Sequence, residues 1–202
     1  MTARFIAFEG GEGSGKSTQA ELLAKALGAV LTREPGGTDI GIRIRGVLLD
    51  PATRALDARA EALLMAADRA QHVAEVVRPS LAAGRHVVTD RFAASSIAYQ
   101  GYGRGLPIEE VRSLCEWATG GLWPDLTILL DVPHDVAVAR LARELDRFER
   151  EDGGFHARVL GGFRAMAAAD PERWVVLDGT CSVDAIAARV RGAVRDRLQL
   201  PV

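Results

Sequence analysis

Five short apolar runs punctuate the chain: Phe5–Phe8, Ala29–Thr32, His86–Thr89, Leu126–Leu130 and Trp174–Leu177. Each is four or five residues long and lacks polar alternation. That pattern predicts strands buried on both faces of a parallel sheet. Helical periodicity fills much of the chain between and after them, over residues 17–27, 40–49, 57–83, 108–119, 134–145, 155–169 and 183–198. The alternation predicts an α/β fold with helices on both sides of the sheet, and such sheets bind ligands beyond the carboxyl ends of their strands. Those ends carry Glu9, Arg33, Asp90, Asp131 and Asp178. No internal repeat, low-complexity tract or linker interrupts the pattern, so the 202 residues read as one domain.

Composition narrows the partners. The chain is 48% hydrophobic and 26% charged, with a formal net charge of -2. No basic field argues for nucleic acid or a membrane surface, so a small-molecule partner is expected. The N-terminal apolar stretch ends after five residues, short of a signal-peptide core. No apolar run approaches the roughly 18 residues of a membrane span. Cys115 and Cys181 have no paired spacing and read as small core residues of a reduced, cytoplasmic protein. Of 25 basic residues only Lys16 and Lys25 are lysines.

Lys16 lies in the one motif that calls for a lysine. Gly10-Gly11-Glu12-Gly13-Ser14-Gly15-Lys16-Ser17 fits GxxxxGK[ST], follows the first predicted strand and opens a predicted helix. Glycines at this spacing let backbone amides curl around phosphate oxygens, and the helix N-terminus adds partial positive charge. Lys16 reaches the β- and γ-phosphates of ATP, and the Ser17 hydroxyl suits Mg²⁺. The motif names no reaction by itself. A GTPase switch needs a guanine-reading NKxD element, and the chain contains no asparagine. A motor or transporter ATPase would need partner domains that this length does not supply.

A kinase must also hold its acceptor. Asp90-Arg91 ends the third predicted strand, on the same sheet edge as the phosphate loop. An acid and a base there can place Mg²⁺ and an acceptor phosphate together, although most Asp-Arg neighbours are ordinary surface ion pairs. Arg33 opens a rigid Arg-Glu-Pro-Gly-Gly-Thr turn near that edge. Met65, Arg69 and His72 share a helix face; Arg69 there is either a cleft residue or a solvated helix arginine.

The run Phe8-Glu9-Gly10, the phosphate loop, Arg33–Thr38, Ala67-Asp68-Arg69, Asp90-Arg91-Phe92 and Tyr99-Gln100-Gly101-Tyr102-Gly103-Arg104-Gly105 together resemble bacterial thymidylate kinase. Pro124–Val132 and Leu145–Glu149 fit as well, so the resemblance covers nearly the whole chain. It implies the three-layer P-loop NTPase fold with a five-stranded parallel sheet, a mobile lid over about 140–153, and a homodimer. It implies transfer of the ATP γ-phosphate to dTMP. Arg91 and Arg69 would grip the dTMP phosphate, with Arg69 also reaching the base. Ser96 and Gln100 would face the thymine edge, Tyr99 the deoxyribose, and Glu12 the sugar and phosphate. Asp90 would position magnesium or phosphate. Where the family often carries a phenylalanine stacked on thymine, this chain has Met65, whose thioether can pack on a ring face. A P-loop kinase acting on another nucleoside monophosphate or on a deoxynucleoside is the competing reading.

The segment Arg140–Asp152 interleaves Arg140, Arg143, Arg147 and Arg150 with five acids. Charge pairs on a solvated helix would account for such a run. The phosphate loop, however, carries Glu12 and no arginine, so transition-state charge needs a cation from elsewhere. Resemblance assigns it to the lid, with Arg143 and Arg147 as the candidates and Gly153-Gly154 as a hinge.

Overall fold

The computed structural model describes residues 2–53, 56–140 and 146–202. Arg143, one of the two predicted lid cations, lies outside the described residues. The five runs form β1 (Phe5–Glu9), β2 (Val30–Arg33), β3 (Val87–Asp90), β4 (Leu126–Asp131) and β5 (Trp174–Asp178). They make one all-parallel sheet in the order β2-β3-β1-β4-β5. The helices are α1 (Lys16–Leu27), α2 (Asp39–Leu49), α3 (Ala58–His72), α4 (Arg78–Ala82), α5 (Ala93–Ser96), α6 (Ile108–Thr119), α7 (His134–Ala139), α8 (Gly153–Ala169) and α9 (Val183–Leu198).

Alternation along β1 sends side chains to two cores. Phe5 and Ala7 join a cluster with residues of α6 and α8, whereas Ile6 and Phe8 pack with α1 and α9. The three central strands are buried on both faces as expected. The edge strands are not: Leu31 on β2 and Val176 on β5 are 44% and 50% exposed. Helix cover ends before the sheet does, and apolar runs of equal length look alike wherever they sit in the strand order.

The predicted helix 57–83 is interrupted by a π-helical stretch, Val73–Val77, between α3 and α4. Pro79 supplies the reason. It has no amide hydrogen, and in a regular α-helix its ring meets the carbonyl four residues back. The Arg78 amide bonds instead to the Val73 carbonyl, a wider turn. A second π-helical stretch, Ile97–Gly103, follows α5 directly. This helical unit, 93–103, is missing from the periodic segments because most of it is buried, which leaves no polar face to read. The pair Gly153-Gly154 lies in the first turn of α8, whose N-cap Asp152 accepts from the Phe155 amide.

Candidate active site

Register decides which strand ends meet. Phe8 pairs with Asp90, and Asp90 with Arg33, so β1, β3 and β2 deliver their final residues to one edge. Asp131 and Asp178, at the ends of β4 and β5, are engaged elsewhere: Asp131 accepts two hydrogen bonds from Arg164, and Asp178 caps the turn at Thr180. A cleft of about 650 Å³ opens over the first three strands.

The phosphate loop forms one wall. Its glycines are held by close packing as well as by conformation. At Gly13, with φ of 70°, a Cβ would fall 2.2 Å from the Ala137 carbonyl oxygen of α7. α1 starts after a left-handed Gly15 with no side-chain cap and no acid in its first turn, so its amides stay available to an anion. Lys16 is buried and donates to the Gly11 carbonyl at 2.6 Å. Burial foremost, then the charge of Arg91, lowers the pKa of its ammonium, opposed by Glu12, Asp90 and Glu9. Ser17 donates to Asp90 across 2.5 Å, which brings the two predicted magnesium-side oxygens together.

Arg91 sits opposite, at φ of 71°, a left-handed backbone uncommon for a residue with a side chain. Glu9 holds it there from behind. This carboxylate accepts from the amides of Phe92 and Ser95 at 2.9 and 3.2 Å and from the Ser95 hydroxyl at 2.6 Å. Complete burial pushes Glu9 up to about 7, against the lowering effects of Arg91, Ser95, Phe92 and Lys16. The Arg91 guanidinium reaches the Gly10 carbonyl, the Ser95 and Tyr99 hydroxyls and the Glu12 carboxylate. Burial would raise the pKa of Glu12, but Arg91, Lys16 and the Tyr99 hydroxyl bring it down to about 2.

That shift makes a pH prediction. A carboxyl whose folded pKa is depressed contributes stability above its unfolded value, lost as pH falls through the folded one. Glu12 therefore contributes fully above about pH 4.5 and loses that contribution toward pH 2. Glu12→Gln should flatten the acid limb of the thermal midpoint over this window. An acid limb identical to the parent's would show that the Arg91 pair does not act on stability.

The remaining predicted residues divide. Arg33, Met65, Arg69, Ser96, Tyr99 and Gln100 all line the cleft. Arg69 is not a solvated helix arginine. It is 2% exposed and donates through Nε to Glu34 at 2.8 Å, through Nη1 to Ser96 at 2.9 Å and through Nη2 to the Phe92 carbonyl at 3.2 Å. Tyr99 packs edge-on against Phe148, Phe155 and Phe163. Arg147 points away from the phosphate loop. It pairs with Glu61 at 2.7 Å, donates to the Leu48 carbonyl and lies over the Phe148 ring. Among the described residues of this segment, Arg140 reaches the loop, 3.5 Å from the Gly13 carbonyl oxygen and 2.9 Å from that of Gly179, and lines the cleft.

Sequence reasoning passed over Glu9, Glu34 and Glu61. Glu34 accepts from Arg69 and lies 2.8 Å from His72 Nδ1, whose other ring nitrogen meets Thr32 at 2.7 Å. Glu9 and Glu34 stood inside quoted motifs, but only their partners give them a role. Among the described residues no cluster of three or more His, Cys, Asp or Glu side chains suits a metal ion. The oxygen pair Ser17 and Asp90 fits a hard cation that takes most of its shell from phosphates and water.

Comparison with known proteins agrees with this geometry. A family model described as "Thymidylate kinase" matches residues 8–190. A thymidylate kinase of Synechococcus sp. (strain JA-2-3B'a(2-13)) is 50% identical over 203 residues, covering 97% of this chain and 96% of the relative. One from Neisseria gonorrhoeae (strain NCCP11945) is 48% identical over 193 residues, covering 92% and 93%. The crystal structure of thymidylate kinase from Ehrlichia chaffeensis superposes with a TM-score of 0.80 at 33% identity, covering 96% of this chain and 99% of that one. On the family match over residues 8–190, these relatives and the shared fold, the chain belongs to the thymidylate kinase family.

Proposed function

We infer that this chain transfers the γ-phosphoryl group of ATP to dTMP, giving ADP and dTDP, a step in dTTP synthesis. The observation that carries the reading is the pairing, in one cleft, of the Lys16 phosphate loop with a second cationic wall at Arg91. A non-bridging oxygen of the dTMP phosphate attacks the γ-phosphorus as the bond to the β–γ bridging oxygen breaks. The nucleophile is already anionic, so no general base is required, and catalysis rests on positioning and charge.

Lys16 and the loop amides bind the donor phosphates. Arg91 takes the acceptor phosphate, which competes with Glu12 for the same guanidinium. Ser17 and Asp90 would hold magnesium, which neutralises phosphate charge when bound. Arg69 and Ser96, tied together, face the acceptor with Gln100 and Met65, and Tyr99 faces the sugar. Arg33 adds charge at the cleft mouth. Arg140 joins Arg143 and Arg147 as a lid cation for the transferred group. The anchoring of Arg147 on Glu61 implies that its role there would need this segment to move.

A second copy of the chain is the proposed partner, because Ile42 of α2 and Leu63 of α3 are more than half exposed. None of the described helices is long and apolar enough to cross a membrane, which accords with work in the cytoplasm.

ADP release measured with dTMP, dUMP, dCMP, dGMP and dAMP tests the assignment. dTMP should give the highest kcat/KM and require Mg²⁺. Another monophosphate preferred tenfold would overturn it.

A further inference from the structure

Glu61 lies in the first turn of α3 and is fully buried, yet nothing in the reaction uses it. Its carboxylate is held between two guanidiniums. Arg104 donates to Oε1 and Oε2 at 3.2 and 3.1 Å, and Arg147 stands 2.7 Å from Oε2 as an ion pair. The fourth contact is to Gln100 Nε2, at 3.0 Å from Oε1. A carboxylate so paired offers acceptors only. The Gln100 amide is therefore not free to turn over: its NH₂ must face Glu61. Its Oε1 then has no partner among the described residues, although Gln100 is wholly buried and lines the acceptor cleft. A buried amide oxygen without a partner is costly, and a ligand donor is the means to satisfy it.

We propose that Glu61 is a specificity-positioning residue, locking the Gln100 amide so that an oxygen meets the base and a ring N–H is selected. Thymine carries a hydrogen on N3, whereas cytosine presents a lone pair there. The locked oxygen accepts from the first and repels the second. This rests on Gln100 lying at the base edge, as proposed above. With Glu61 replaced by glutamine, one new amide oxygen can keep Arg104 Nη2 and Arg147, at the loss of the Arg104 Nε bond, while the new NH₂ turns toward Gln100. Gln100 then turns over and shows its NH₂ to the base, the pattern that suits cytosine.

The test is the ratio of kcat/KM for dTMP to that for dCMP, since a general loss of activity cancels in a ratio. Glu61→Gln should narrow the ratio by roughly 10- to 100-fold, in keeping with one mismatched buried hydrogen bond. Gln100→Met should also narrow it, by removing the reading atom. If Gln100→Met narrows the ratio and folded Glu61→Gln does not, the positioning role fails while Gln100 keeps its place at the base. If Gln100→Met leaves the ratio unchanged, the placement of Gln100 is wrong and the proposal falls with it. Should Glu61→Gln not fold, Glu61→Asp decides. It keeps a carboxylate for the arginines but withdraws it by one methylene from the Gln100 amide, so the lock is loosened. Narrowing of the ratio by about threefold or more in that variant supports the proposal, and a ratio within about threefold of the parent overturns it.

Discussion

Lys16→Ala should lower kcat by about two to three orders of magnitude, the cost of removing one preorganised donor from a developing phosphoryl charge, and should leave the fold intact. The ammonium is buried and donates to the Gly11 carbonyl and the Ser14 hydroxyl of the loop. Nothing in the two apolar cores depends on it. Its lowered pKa, due first to burial and then to Arg91, marks a cation held where the apo protein gains little from it. The thermal midpoint of Lys16→Ala should therefore equal or exceed the parent's while turnover collapses, a separation typical of groups kept for activity. Single-turnover measurement at saturating dTMP, alongside thermal denaturation, checks both halves. Near-normal turnover would remove Lys16 from the chemistry. A large fall in midpoint would make it structural.

Glu34→Ala should have the opposite profile, a loss of about 3–5 kcal/mol of stability, as expected when one partner of a buried ion pair is removed. Arg69 is then left almost fully buried, hydrogen-bonded among the described residues to the neutral Ser96 hydroxyl, Cys115 sulfur and Phe92 carbonyl. His72 loses one of its two ring partners as well and keeps Thr32. The double variant with Arg69→Met should be destabilised by less than the sum of the two single variants, by more than about 1 kcal/mol, because contacting charges couple. Urea unfolding of the four proteins measures this directly. Strictly additive losses would show that the Glu34–Arg69 contact contributes nothing specific. Binding of dTMP should weaken in Glu34→Ala even where the fold survives, since Arg69 loses the contact that aims its remaining N–H into the cleft.

Much of this protein was legible in the chain itself. All five strands start within one residue of their sequence positions; for the three central ones the reason is that a doubly buried parallel strand must be apolar throughout. The phosphate loop was legible because its chemistry is local. Glycines, lysine and serine act within eight residues, through backbone that needs no distant partner. That Asp90 and Arg91 line the cleft was legible by position, at a strand end of an α/β sheet. That Met65 and Arg69 both line the cleft follows helix spacing alone.

Tertiary structure decided what depends on partners far apart in sequence. Glu9 meets Phe92 and Ser95, Glu34 meets Arg69 and His72, and Glu61 meets Gln100, Arg104 and Arg147. A buried acid and a surface acid are the same letter, and only the fold desolvates one and supplies its cations. Strand order made β2 and β5 the half-exposed edges. Helix 93–103 was hidden because burial on most sides erases the polar face that periodicity needs. Resemblance offered Arg143 and Arg147 as lid cations; in the structure the buried Glu61 draws Arg147 toward α3, and among the described residues of that segment Arg140 lines the cleft. The sequence thus determined the sheet and the phosphate loop, whose physics is local or periodic. The acceptor wall was assembled by long-range pairing of buried charges, which no local pattern encodes.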